Sequence, residues 1–360
     1  MIHTVFPDGG ATGWGVCGRA LTAALDRLDG ARGVVAEPAS LPQGQPTLQA
    51  IRNVDFAPLR PELRGRPQVG YTFFERDHLT AEEVTRLRDA FDHVAAGSSW
   101  CAATLRAHGV AAAAIPQGID HDLFAPPAVP APPQATPRFA VFSGGKLELR
   151  KGQDLVIRAF AALRSRHSDV VLVSAWHNPQ PASRHTLAAS RHLDVRWRGD
   201  DEVAIAQNLL ADHGVAPTDA LVLPALPQAA LAAACRATDV GVFPSRCEGG
   251  TNLVLMEYQA CGRPVIATCA TGHLDVVDPA SPLLLQRLGD LRLDLPSGET
   301  WSGWVEPDLD ELVERLEWAY QQREALPGLG AQASARMRAF SWDAAAARFA
   351  ELFAQTALRA

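Results

Sequence analysis

The sequence predicts an α/β protein of two doubly wound, Rossmann-like domains that face each other across a cleft. Three observations carry this expectation. Short apolar runs, suited to buried strands, alternate with amphipathic helical stretches along most of the chain, which is the pattern of a parallel sheet covered on both faces. A proline-dense stretch, Ala125 to Pro137 (APPAVPAPPQATP), interrupts that alternation and reads as a semi-rigid, extended linker. The chain is 360 residues long, enough for two ordinary hydrophobic cores. The expected units are residues 1–124, the linker 125–137, a second domain over 138–340 and a terminal segment, 341–360. A cleft between two such domains is the natural ligand site.

Composition narrows the function. Hydrophobic residues make up 47% and charged residues 20%, as in soluble globular proteins. A net charge of −7 argues against nucleic acid as a partner. No apolar run is long enough to span a bilayer, and MIHTVFPDGG lacks the regions of a signal peptide. The expectation is a cytoplasmic protein with at most peripheral membrane contact. The only cluster of the first domain that favours such contact is Arg52, Arg60, Arg64 and Arg66. The six cysteines form no CxxC pair, so reduced thiols are expected and a disulfide framework is not. Of 33 basic residues only Lys146 and Lys151 are lysines, and they share one short window. A compact ammonium is wanted there, a need that Arg does not fill well.

Residues 2–6 read as a first strand. Gly13, Gly15 and Gly18 follow in GxGxxG spacing and run into a helix over 19–28, with Val34 to Glu37 as a second strand ending in a carboxylate. That spacing resembles a dinucleotide fingerprint, but residues 7–12 intervene where the first Gly should follow the strand directly. An oxidoreductase built on Gly13–Gly18 is the first alternative. Residues 38–68 show weak periodicity and place no element. Val69 to Glu75 is a strand entering a loop, followed by helices at 80–91 and 100–108 and a strand and turn at 114–120.

In the second domain, strands are expected at 139–143, 170–176, 220–223 and 239–243. Helices are expected at 153–164, 227–238, 309–324 and after Trp342, and another strand with a Trp-flanked turn within 281–305. The histidines at 185, 192 and 213 are scattered and read as structural. The most informative stretch is Phe243 to Ala267: a strand end, a loop carrying Arg246 and Glu248, an N-cap at Thr251 or Asn252, a helix bearing Glu257, then Gly262 and Pro264 before a new strand. A helix N-terminus behind a Gly-rich loop offers free N–H groups and a positive dipole to an anion such as a phosphate. Carboxylates do not bind phosphate. Glu248 and Glu257 therefore suit hydroxyls of a sugar or a ribose.

These residues resemble the retaining glycosyltransferases of family four, which have the GT-B fold. The match comprises Glu248, Gly249-Gly250, Glu257 and Ala260-Cys261-Gly262-Arg263-Pro264-Val265-Ile266. A second match follows the first strand of the second domain: Gly144-Gly145-Lys146 and Arg150-Lys151-Gly152, then a helix. A looser one closes the first domain at Gly118-Ile119-Asp120. One departure is that Glu248 and Glu257 lie nine apart where the family has eight. Either the turn at Gly250-Thr251-Asn252 is one residue longer, or Glu248 is not the family's residue.

The resemblance implies transfer of a sugar from a nucleoside diphosphate sugar, UDP or GDP, to an acceptor hydroxyl with retention. Lys146 and Lys151 would meet the diphosphate, Gly250, Thr251, Asn252 and Leu253 would give it N–H groups, Glu257 would hold the ribose and Glu248 the sugar. Gly13 and Gly15 would face the donor phosphates, Glu75 would stand on a cleft-facing loop as a catalytic residue with Glu248 and Lys151, and the loop at Leu226 would meet the base through backbone. Thr271 to Asp275 would border the site, and the last helix would cross back to the first domain. No cofactor and no metal is expected, since the fixed cations can take the leaving charge and no Asp-x-Asp cluster is present. A second alternative is a non-catalytic protein that binds a nucleotide sugar.

Overall fold

The structure is a computed structural model and describes residues 1–7, 10, 12–28, 33–35, 44–127, 138–178, 180–294 and 300–358. Most of the expected linker, 128–137, and the carboxylate at Glu37 lie outside the described residues.

The first domain runs β1 (Ile2–Val5), α1 (Gly13–Arg27), β2 (Gly33–Val35), β3 (Thr47–Ala50), β4 (Gln68–Thr72), α2 (Ala81–Ala90), β5 (His93–Ala96), α3 (Ser99–Ala107) and β6 (Ala112–Ala114). Its sheet has the order β2-β1-β3-β4-β5-β6 and every pair is parallel. Strand β3 falls in the stretch that shows no periodicity, because all four of its side chains are buried and no polar–apolar alternation marks it.

Helix α1 starts earlier than expected. Thr12 caps it, its hydroxyl accepting from Gly15 N–H at 3.2 Å, so Gly13, Gly15 and Gly18 lie inside the helix and not in a loop before it. Gly18 is required by packing: a Cβ there would sit 2.7 Å from Phe6 Cβ. Residues 6–12 separate β1 from α1, so the tight strand-to-helix turn of a dinucleotide site is not made.

The second domain continues with β7 (Phe139–Gly145), α4 (Gln153–Arg166), β8 (Val170–Trp176), α5 (Pro181–Arg184), α6 (Glu202–Asp212), β9 (Ala220–Val222), α7 (Gln228–Arg236), β10 (Val240–Phe243), α8 (Leu253–Ala260), β11 (Val265–Thr268) and β12 (Leu284–Leu285). Its sheet, β12-β11-β10-β7-β8-β9, is again parallel throughout. With β7 and β10 adjacent at its centre, the loops after these two strands emerge side by side. That adjacency brings residues around 150 to residues around 248.

Residues 281–305 hold more than a strand and a turn. An antiparallel hairpin, β13 (Leu288–Asp294) and β14 (Thr300–Pro307), stands outside the main sheet. Then come α9 (Leu309–Gln321), α10 (Leu326–Met337) and α11 (Trp342–Ala357). Pro327, Gly328 and Gly330 disguise α10 in the sequence. The proline stands in the first turn, where its missing N–H costs nothing. Helix α11 leaves the second domain and packs on the first, where Phe349 meets Tyr71 edge to face at 5.0 Å and Leu352 and Phe353 join the core of Leu21 and Leu25. Two doubly wound domains with a helix returning across them constitute the GT-B arrangement.

Candidate active site

The loop Pro244 to Asn252 leaves the end of β10 and enters α8 through Asn252, whose φ of 61° is left-handed. Asn252 is the cap; its side-chain oxygen accepts from Leu255 N–H at 3.3 Å. Asn tolerates this conformation better than most residues. Gly249, Gly250 and Thr251 make the turn that leads from Glu248 to this residue. Thr251 is buried, its hydroxyl on Met256 Sδ at 2.9 Å. No described residue accepts a hydrogen bond from the backbone N–H of Gly250, Thr251, Leu253 or Val254. Unclaimed donors at a helix start are an anion site in waiting.

Glu248 is 3% exposed and fully engaged. Lys151 Nζ donates to its two oxygens at 2.7 and 3.0 Å, Arg150 Nη1 at 2.8 Å, Ser245 Oγ at 2.7 Å and Asn252 Nδ2 at 3.0 Å. Burial opposes its ionisation, but the Lys151 and Arg150 charges hold the carboxyl down to about 2. Burial also pushes Lys151 below its ordinary range, against the pull of Glu248. Lys151 and Glu248 thus satisfy each other. Buried charges must be compensated, and this pairing, with Arg150 beside it, does so.

Glu257 contrasts with this. It is 4% exposed, and no described residue donates a hydrogen bond to its carboxyl. Burial, reinforced by Cys261 and Asp120, pushes it up to about 8.

Arg150 is the residue that sequence reasoning underrated. Its guanidinium donates to Cys247 O at 2.9 Å, to Glu248 and to Glu148 Oε1 at 2.7 Å, and Glu75 of the first domain lies 3.6 Å away. Its place beside Lys151 was the only signal. His273 is a second such residue. Buried, with Nδ1 3.2 Å from Thr268 O and Nε2 3.2 Å from Asn252 Nδ2, it makes the contacts of a neutral ring that donates through Nδ1. Burial pushes it down to about 4. Arg246 is a structural pivot, forked onto Asp154 at 2.8 Å for both nitrogens and onto Glu306 at 2.7 and 2.8 Å.

The first domain seals this loop. Ser98 Oγ donates to Gly249 O at 2.7 Å, and Asp275 accepts from Ser99 N–H at 2.7 Å. A Cβ on Gly249 would stand 2.3 Å from Phe74 O, and one on Gly272 would stand 1.7 Å from Gly250 O. Trp304 of the hairpin donates through Nε1 to Glu75 O at 2.7 Å. Trp14 in the first turn of α1 meets Phe73 at 4.7 Å, and Leu253 packs on the same cluster. The N-termini of α1 and α8, with Gly13, Gly15 and Gly250, therefore converge.

Two expected residues stand apart. Lys146 Nζ donates to Gln180 Oε1 at 2.9 Å and does not join Lys151 at Glu248. Leu226 is half-buried in the loop between β9 and α7, and no described hydrogen bond or ion pair ties its side chain to the cluster. Of the other histidines, His192 pairs with Glu306 at 3.1 Å and His213 with Asp194 N–H at 3.1 Å, and His185 meets Trp197 edge to face. Among the described residues, no three His, Cys, Asp or Glu side chains gather as a metal site, and no helix is long and apolar enough to cross a membrane.

Residues 138–292 match the family described as glycosyl transferases group 1. A D-inositol 3-phosphate glycosyltransferase of Xylanimonas cellulosilytica is 31% identical over 258 residues, which are 68% of this chain and 51% of that protein. A GDP-mannose-dependent monoacylated alpha-(1-6)-phosphatidylinositol monomannoside mannosyltransferase of Corynebacterium glutamicum is 26% identical over 50% of this chain and 46% of its own. The chain thus spans about half the length of the curated relatives it matches. A solved glycosyltransferase from Rickettsia africae shares the fold, with a TM-score of 0.64 at 11% identity over 99% of this chain and 98% of that one.

Proposed function

Because residues 138–292 match the group 1 glycosyl transferases, we propose that the chain moves a sugar from a nucleoside diphosphate sugar to an acceptor hydroxyl in glycan, polysaccharide or glycoconjugate biosynthesis. The observation that carries this is a convergence. The unclaimed N–H groups of the α8 N-terminus and the buried carboxyl of Glu257 lie on one loop and helix, and the cations Lys151 and Arg150, from the turn after β7, meet that loop at Glu248. A diphosphate fits the N–H groups and the cations, and a ribose fits the carboxyl. The relatives support a UDP- or GDP-linked donor and a hydroxylated small-molecule or lipid-linked acceptor.

In the proposed reaction the sugar–oxygen bond to the diphosphate breaks while charge grows on the leaving oxygen. Lys151, Arg150 and the α8 dipole stabilise that charge. Lys146, a half-buried residue, reaches in from Gln180. Glu248 holds sugar hydroxyls once Lys151 turns to the phosphate, and Glu257 holds the ribose. Stereochemistry is retained by front-face displacement, the leaving phosphate taking the acceptor's proton. The backbone at Leu226 meets the base. No divalent metal takes part, because fixed cations and helix N–H groups perform its task.

Thermal shifts against a panel of UDP- and GDP-sugars, with NADH as a control, test the donor. Stabilisation by NADH alone would overturn the reading. Hydrolysis of the bound donor without acceptor separates a transferase from a silent binding protein. Turnover of freshly desalted enzyme in excess EDTA is expected to be unchanged. A loss restored by Mg²⁺ or Mn²⁺ would remove the metal-free mechanism.

A further inference from the structure

We propose that Glu75 is a stand-in for the donor: its carboxylate faces Arg150 across the domain boundary, and a nucleoside diphosphate must displace it to bind. This rests on the donor-site reading above. The argument is a charge count. Around Arg150 and Lys151 stand Glu148, Glu248 and Glu75, three carboxylates against two cations. His273 is neutral there and adds nothing. The cluster carries one net negative charge before any ligand arrives. A diphosphate brings at least two more, in a cleft less polar than water, where like charges repel strongly.

One carboxylate must therefore give way, and the geometry selects which. Glu148 and Glu248 are 6% and 3% exposed and make hydrogen bonds of 2.7 and 2.8 Å to Arg150 from the same domain. The Glu75 side chain is 27% exposed, and its 3.6 Å contact is too long for a hydrogen bond. Its backbone is held separately, by Trp304 Nε1 on Glu75 O at 2.7 Å. The side chain can thus swing out while its loop stays docked. Two cations then face two carboxylates, and the α8 N–H groups are free for the phosphates. The released carboxylate remains at the cleft wall, on the first-domain side, where an acceptor enters. Glu75 is in this sense a positioning residue, linking donor arrival to the acceptor side.

The test compares wild type, Glu75→Gln and Glu82→Gln for binding of UDP, GDP and inorganic pyrophosphate, with donor KM and kcat measured alongside. Glu82 is a control, a carboxylate of α2 with a 90% exposed side chain. Removing the competing charge is expected to tighten nucleotide and pyrophosphate binding by about tenfold in Glu75→Gln and to lower donor KM, with Glu82→Gln like wild type. A merely structural Glu75 would give equal or weaker binding, and that result overturns the inference. Equal tightening in Glu82→Gln would overturn it too, by assigning the effect to overall charge. If no anion binds any of the three proteins, the donor-site reading falls and takes the inference with it. Binding to wild type without tightening in Glu75→Gln removes the inference alone.

Discussion

Glu248 and Glu257 are equally buried, at 3% and 4% exposure, and one short turn separates them, yet their chemistry is opposite. Glu248 is held down to about 2 by Lys151 and Arg150, with Ser245 and Asn252 donating as well. Glu257 is pushed up to about 8, and no described residue donates a hydrogen bond to it. One end of the donor loop is a closed charge network. At the other end is a buried carboxyl to which no described residue donates a hydrogen bond. A motif that pairs two glutamates hides this difference, because depth of burial does not fix a carboxylate's charge; the groups around it do. The saturated end must exchange partners when a donor arrives, whereas the Glu257 end only has to gain one.

The most severe way to break the contrast is to remove its cation. Lys151→Ala should lower turnover by about 10²–10³-fold, the scale for losing one group that stabilises transition-state charge. The fold should survive, since Glu248 keeps Arg150, Ser245 and Asn252. Near-UV circular dichroism checks the fold and single-turnover kinetics the rate. Turnover within a factor of about three of wild type is too small a change for that role and would exclude Lys151 from the chemistry.

Glu248→Gln reads the same network through stability. Because the native carboxyl sits at about 2 and the usual value is 4.5, Glu248 adds stability above pH 4.5 that fades as pH falls toward 2. Wild type should exceed the variant by about 3 kcal/mol at pH 7, an order-of-magnitude figure from the shift, and by little near pH 2. Urea denaturation at several pH values measures the gap. A gap that stays constant with pH would mean that Glu248 acts through shape and not through charge.

How much of this was legible follows physical lines. Apolar runs of the second sheet could be read directly, since buried parallel strands such as Val170 to Trp176 are continuous in character. Helix α10 was hidden by Pro and Gly, and the β13–β14 hairpin by its place outside the sheet. In the site, Gly249, Gly250, Glu248 and Glu257 were visible as a pattern of residue types. What the pattern could not contain was partnership. The Arg150 contact with Glu75 joins residues far apart in the chain, and it exists because β7 and β10 are neighbours and the first domain closes on both. Lys146 illustrates the converse: its motif position suggested the cluster, but its side chain is taken by Gln180.

The smallest expected effect on binding comes from Glu257. Ribose hydroxyls donate better to a carboxylate than to a neutral group. Glu257 is, however, pushed up to about 8, so at pH 6 it is protonated and resembles an amide in charge. Glu257→Gln should then bind a nucleoside diphosphate almost as well as wild type at pH 6. As pH rises through 8 the wild-type carboxylate becomes available and its affinity should pull ahead by roughly 1–3 kcal/mol, the scale of a charge-assisted hydrogen bond. Stability should move the other way. With a native value above the usual 4.5, the folded protein holds a proton that the unfolded chain has lost, so wild type loses stability between pH 4.5 and 8, and the Gln variant does not. Titration calorimetry and melting curves on both proteins across this range read the two trends together. If affinity differs by the same amount at pH 6 and pH 9, Glu257 is ionised throughout, and the contrast between the two glutamates is lost.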